Sequence, residues 1–337
     1  MSLGWGILGL GSLAKNHMGP AIGRASHTKL VAVCDLTMGQ AEEFASRYGA
    51  KRAYDSIDKM LKDPELDVLL VATPNSLHAR HTILAAEAGK HVLCEKPMAL
   101  TVADGESMIE ACLKNKVRIG VDFQNRYHPA HTEARRLTRA GSAGEINVAE
   151  ARYCRGASRG FSKGWRSDPS IAGAGALMGQ SLHPIDLLRF LLDKEVVEVR
   201  ALTDEDPPHR PVDQMNYIIL TFDSGTHGVV ISGILAPRPD NDAVLYGTGA
   251  KIRCKGTVGM QLQGELIVEG DALNTKMGFP AAETSGSDLY VRVVEDFNKC
   301  ILEKSETEIS GLNGLQMIRI ANAVLESSRK GKAVSLK

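Results

Sequence analysis

Gly9-Leu10-Gly11-Ser12-Leu13-Ala14 follows the apolar run Trp5-Gly6-Ile7-Leu8 and opens a helical pattern, and no other feature constrains the fold as much. A strand that turns into a helix through two glycines has few solutions. The first glycine permits the tight turn, and the second lets a pyrophosphate approach the backbone. A small third residue, Ala14, lets helix and strand pack closely, with phosphates on the N–H groups of the helix start. The surrounding chain fits this reading. Strands are expected at Trp5–Leu8, Lys29–Cys34, Val68–Ala72, His91–Cys94 and Val117–Val121. Helical patterns at Met38–Tyr48, His78–Ala88 and Ala103–Asn115 fill the gaps. Such alternation predicts a doubly wound, parallel Rossmann sheet over residues 1–121. Gly19-Pro20 inside the first helix predicts a kink.

Asp35 closes the second strand, where a carboxylate can accept hydrogen bonds from both adenosine ribose hydroxyls and repel a 2′-phosphate. Leu36 follows, where an arginine would have suited that phosphate, so NAD is read over NADP. Thr73-Pro74-Asn75-Ser76-Leu77-His78 lies after the third strand, at the carboxyl edge where open α/β sheets bind ligands. Asn75 can reach the cofactor's ribose or amide; Thr73 or Asn75 can equally cap the next helix. Glu95-Lys96-Pro97 ends the fourth strand at the same edge. A lysine there can exchange the hydroxyl proton that accompanies hydride transfer from an alcohol. Standing alone, the pair would read as a surface Glu-Lys closing a strand.

Composition narrows the class. Forty basic residues balance forty acidic ones among 337, so no net charge draws the chain to nucleic acid or an anionic membrane. No apolar run reaches membrane-span length, and no signal-peptide pattern precedes the first strand. Six scattered cysteines without a C-x-x-C pair read as reduced cytoplasmic thiols, not as a disulfide framework or a metal site.

Thr73-Pro74-Asn75-x-x-His78 and Ala88-Gly89-Lys90-His91-Val92-Leu93-Cys94-Glu95-Lys96-Pro97 closely resemble the Gfo/Idh/MocA oxidoreductases, a family that includes glucose–fructose oxidoreductase and inositol dehydrogenases. The similarity continues through Asn125-Arg126-Tyr127-His128-Pro129, Trp165-Arg166, Gly173 to Leu177, His183-Pro184-Ile185-Asp186, and Gly311 to Lys332. It implies a dehydrogenase acting on a sugar, polyol or cyclic alcohol, with Lys96 and His183 handling the proton. The cofactor set it implies is Gly9, Gly11, Ser12, Leu13, Ala14, Asp35, Thr73, Asn75, His78, Glu95 and Lys96. Arg126, Trp165, Arg166 and Asp186 become candidate substrate contacts.

Beyond Asp122 the pattern changes. Strand candidates at Ile146–Cys154, Val197–Leu202, Tyr217–Phe222, Thr226–Gly233, Ala243–Gly247, Lys251–Lys255 and Met260–Val268 recur without helices between them. Residues 122–337 therefore read as an α+β domain built on a large, mostly antiparallel open sheet. The resemblance implies that this sheet forms homodimer or homotetramer contacts. His183 lies in or begins a helix running to about Asp193. Many relatives carry an aspartate four residues before this histidine; here Gly179 occupies that position. Asp186 can orient His183 across one turn, or serve as an unrelated helix contact. Arg152, Arg155, Arg159, Lys163 and Arg166 form a basic segment that can bind an acidic group or stay solvated. Two other functions use the same residues: transient oxidation by recycled NAD in glycoside cleavage, and NAD/sugar sensing without turnover.

Overall fold

The computed structural model describes residues 2–156, 164–204, 211–237, 239–271, 273–280 and 286–336. They form two compact units, Met1–Gln124 with Glu283–Ile318, and Asn125–Ala282 with Arg319–Lys337. The first unit contains a six-stranded parallel sheet: β1 (Leu3–Leu8), β2 (Thr28–Cys34), β3 (Arg52–Tyr54), β4 (Val68–Val71), β5 (His91–Cys94) and β6 (Ile119–Val121). Their spatial order is β3-β2-β1-β4-β5-β6, the doubly wound order with a switch point between β1 and β4. β4 is buried along its whole length, as a strand covered on both faces must be. The short strand β3 escaped the sequence reading.

A division at 121/122 assigned residues 283–318 to the second domain, whereas they pack with the first unit. Trp5, fully buried, explains part of this. Its indole N–H donates to Asn298 Oδ1 at 3.0 Å, and its ring meets Phe297 edge-on with centroids 6.2 Å apart. Asn298 in turn donates to the Ser26 carbonyl, and His17 stacks on Tyr290 at 4.9 Å.

The expected kink takes a particular form. Residues 12–24 are helical throughout, but Ala14–Met18 widen into a π turn just before Pro20. Proline has no N–H to continue the ladder, and a π turn is one way a helix absorbs that loss.

The second unit is built on a nine-stranded sheet. Its strands are β7 (Ile146–Cys154), β8 (Val196–Thr203), β9 (Met215–Phe222), β10 (His227–Gly233), β11 (Ala243–Gly247), β12 (Ala250–Lys255), β13 (Gly264–Gly270), β14 (Thr275–Phe279) and β15 (Val334–Ser335). Their order is β14-β13-β12-β11-β7-β10-β9-β8-β15. All pairings are antiparallel except β7 with β10. Along β9, buried and exposed residues alternate, so one face is covered and the other open. Helix Leu182–Leu192 is buried on every side. Helix Pro129–Arg139 instead buries one stripe, Ala130, His131, Ala134 and Leu137.

Candidate active site

In the first unit, the predicted cofactor residues gather at the carboxyl ends of β1, β2, β4 and β5. Gly9 has φ +92°, and a Cβ on it would lie 2.6 Å from the Ala72 carbonyl oxygen. Only glycine fits there. Gly11 is the opposite case, for a Cβ would meet nothing within 4 Å. That open space stands before the helix that begins at Ser12 and Leu13, with Ala14 buried beneath. Asp35 Oδ2 accepts the Leu10 N–H and Oδ1 accepts the Leu36 N–H, both at 2.7 Å. The acidic residue therefore shapes the glycine loop as well as facing the edge. Open space over Gly11, a helix start and a fixed carboxylate fit a dinucleotide.

His78 has a different place from the one expected of a cofactor contact. It is 1% exposed, with Nδ1 at 2.7 Å from the Pro97 carbonyl and Nε2 at 2.8 Å from the Thr73 carbonyl. A neutral ring donates to one carbonyl and an imidazolium to both. The ring thus joins the loop after β4 to the turn after β5. Asn75 is buried beside it in the chain, and Thr73 Oγ1 lies 3.0 Å from His81 Nδ1. Lys96 is half-buried and precedes Pro97 through a cis peptide bond.

Glu95 has a carboxyl neighbour that sequence reasoning missed. Asp122, 1% exposed, follows β6, and its N–H donates to the Cys94 carbonyl at 2.9 Å. Burial and the nearby Asp122 push Glu95 well above the usual carboxylate range. Burial also lifts Asp122, to about 6, while Lys96 draws both carboxyls downward. Each of the two buried carboxyls makes the charged form of the other less favourable, and both stand near Lys96.

His183, in the second unit, is the second residue of helix Leu182–Leu192 and is 6% exposed. Tyr153, at the end of β7, meets it edge-on with ring centroids 5.6 Å apart. The Tyr153 hydroxyl accepts a hydrogen bond from Arg155, whose guanidinium also reaches Met260 Sδ at 2.9 Å. Tyr153 carried no motif and was not foreseen; its alternating position on a strand of the covered sheet is the only available signal.

Asp186 corrects an expectation. Its carboxylate accepts Arg126 Nε at 2.8 Å and Nη2 at 2.6 Å, and Arg189 at 3.4 Å. All three side chains are buried. Arg126 and Asp186, both expected at the substrate, are therefore brought together as an ion pair, and Asp186 is committed to arginines rather than to His183. Trp165 and Arg166 form the turn Gly164–Ser167, with the guanidinium over the indole at 4.3 Å. Arg152, Arg155 and Arg166 are exposed, whereas Arg159 and Lys163 lie outside the described residues. Lys96 belongs to the first unit and His183 to the second.

Among the described residues, no three His, Cys, Asp or Glu side chains group as metal ligands. All six cysteines are free and buried, and burial raises the thiols of Cys34 and Cys112 to about 11 and 12. No helix of the described residues is long and apolar enough to cross a membrane.

Residues 3–123 match the family described as an oxidoreductase family with an NAD-binding Rossmann fold, and residues 131–253 match the GFO/IDH/MocA C-terminal domain. This chain belongs to the Gfo/Idh/MocA oxidoreductases. Within that family, an uncharacterized oxidoreductase, ORF334, of Rhizobium meliloti is 30% identical over 331 residues, 97% of each chain. The scyllo-inositol 2-dehydrogenase (NAD(+)) of Bacillus subtilis is 28% identical over 340 residues, 98% of this chain and 95% of that one. A levoglucosan dehydrogenase solved with NADH and levoglucosan superimposes over 100% of both chains, with TM-score 0.89 and 26% identity. The Gfo/Idh/MocA assignment makes the protein an NAD-binding oxidoreductase of the sugar and polyol dehydrogenase type.

Proposed function

We propose that the protein oxidises a carbinol of a sugar, polyol or cyclic alcohol with NAD, or reduces the matching carbonyl, and that Lys96 and His183 handle the proton. The observation that carries this reading is the edge of the parallel sheet, where the open Gly11 turn, Asp35 and the Lys96 turn follow the carboxyl ends of β1, β2 and β5. NAD, when bound, supplies the hydride acceptor. Gly11 and the N–H groups of the helix start bind its pyrophosphate, and Asp35 takes the ribose hydroxyls. The same carboxylate repels a 2′-phosphate, which favours NAD over NADP. His78 orients the Lys96 turn by holding the Pro97 carbonyl. Lys96 Nζ takes the hydroxyl proton during oxidation and returns it during reduction. The imidazole of His183 suits the same exchange near neutral pH.

The test is NADH formation, followed by absorbance, with NAD and a panel of polyols, aldoses, anhydrosugars and sugar acids. Sustained NADH formation with one class is expected. Lys96→Ala should lower turnover about 100- to 10,000-fold while sparing NADH binding. Full activity in that variant would remove Lys96 from the chemistry. Silence across the panel in both directions, with NADH bound, would favour cofactor recycling or sensing.

A further inference from the structure

A buried carboxylate outside the residues considered so far holds the segment that leads to His183. Asp213 is fully buried just before β9. Its Oδ1 accepts the Gly175 N–H at 2.7 Å, and its Oδ2 accepts the Leu177 N–H at 2.6 Å. Oδ2 also accepts the Asn216 amide at 2.7 Å, and the Asp213 carbonyl accepts the Ala176 N–H at 2.8 Å. Three consecutive backbone N–H groups are thus tied to one residue. The approach is close enough that a Cβ on Gly175 would lie 2.1 Å from the Asp213 carbonyl oxygen.

The far end of the segment is pinned to the same strands. Leu177–Ser181 form a π turn, and Ser181 Oγ accepts the Asn216 amide at 3.1 Å and meets Ser232 Oγ. Asn216 and Ser232 are directly paired across β9 and β10. His183 comes two residues after Ser181. Gly175 to Ser181 is therefore fastened at one end to Asp213, just before β9, and at the other to the β9–β10 pair, and the helix bearing His183 starts from it.

Burial raises the Asp213 pKa above the ordinary value, and the hydrogen bonds from Asn216, Gly175 and Leu177 offset that only in part. An acid whose folded pKa exceeds its unfolded one is a net cost to stability once pH rises above both. What the carboxylate alone supplies is two acceptor oxygens for two divergent N–H groups. An amide would turn an N–H toward one of them.

We propose that Asp213 is a positioning residue for the reaction, which sets the place of His183 by fixing residues 175–177. This rests on the reading of His183 as a proton-handling residue. The test compares full-length wild type with Asp213→Asn, His183→Ala and Val230→Ala, the last a core truncation in the same sheet. Hydrogen exchange is followed in residues 173–192, NADH binding by fluorescence, and turnover with scyllo-inositol and levoglucosan as probes. Asp213→Asn is expected to exchange this segment about tenfold faster than wild type and to bind NADH unchanged. It should lose about 100-fold in kcat, with the neutral-pH limb of the rate profile displaced. Val230→Ala should lose thermal stability and keep its pH profile. Where Asp213→Asn fails to fold, Asn216→Ala removes one of the three donors and gives a milder form of the same effect. Unchanged exchange in residues 173–192 overturns the proposal, as does an Asp213→Asn pH profile that matches Val230→Ala. A fully active His183→Ala protein overturns the reading of His183 itself, whatever Asp213→Asn does to exchange.

Discussion

The Asp35 carboxylate accepts the backbone N–H of Leu10 at 2.7 Å, so the residue that follows β2 also holds the loop that follows β1. Two functions then meet in one side chain. Asp35→Ala removes a hydrogen bond to a charged acceptor, worth about 1.5–3 kcal/mol, from the glycine loop. It also removes the group proposed to repel a 2′-phosphate. NADH affinity should fall about tenfold or more, and preference over NADPH should shrink in the same variant. Titration with both reduced cofactors separates the effects. Unchanged NADH affinity would show that the Leu10 contact does not shape the cofactor loop.

Asp186 should prove structural. Asp186→Ala leaves the guanidinium groups of Arg126 and Arg189, 5% and 3% exposed, without the carboxylate they share. Removing one partner from a buried ion pair costs about 3–5 kcal/mol. The denaturation midpoint should drop accordingly, and the surviving folded protein should keep its KM. A large KM change at unchanged stability would restore Asp186 to the substrate.

The legible and illegible parts of this chain differ physically. β4, β5 and helix Met38–Tyr48 carry their pattern within a few residues, and their limits are readable to within one position. β3, β14 and β15 are missed because short edge strands bury too little to show an alternation. The union of residues 283–318 with the first unit depends on contacts such as Trp5 with Asn298, which no local window contains. Lys96 and Asp35 sit in motifs and are readable. Asp122, Tyr153 and Asp213 act through neighbours distant in sequence, and only folding brings those neighbours together.

Buried histidines make the fold sensitive to acid. His131 donates from Nδ1 to the Asn125 carbonyl at 2.6 Å, and its Nε2 meets Thr257 Oγ1 at 2.7 Å. Burial holds His131 well below the ordinary 6.5 and lowers His78 as well, while His81 falls to about 4. A histidine whose folded pKa lies below its unfolded one stabilises the fold above the unfolded value and loses that contribution as pH falls. The melting temperature should stay level above about pH 7 and decline from 6.5 toward 4. His131→Gln, which keeps a donor and an acceptor, should flatten the decline. A slope identical to wild type would place the acid sensitivity elsewhere.

The open face of the nine-stranded sheet carries the last expectation. Leu202, Tyr217 and Ile219 are 62%, 48% and 49% exposed. Leu202 pairs with Tyr217 across β8 and β9, and Ile219 with Val229 across β9 and β10, so their side chains share one face. An exposed apolar cluster of this kind, with Arg200 opposite Ile219, is expected to meet a second copy through a two-fold axis. Arg200 stands directly opposite Ile219, so Ile219→Lys sets like charges against each other there and opposes association. Sedimentation velocity should show an even-numbered oligomer for wild type and a lighter species for Ile219→Lys, with NADH binding retained. A monomeric wild type would leave the face exposed in solution, and an unchanged oligomer in Ile219→Lys would put the interface on another surface.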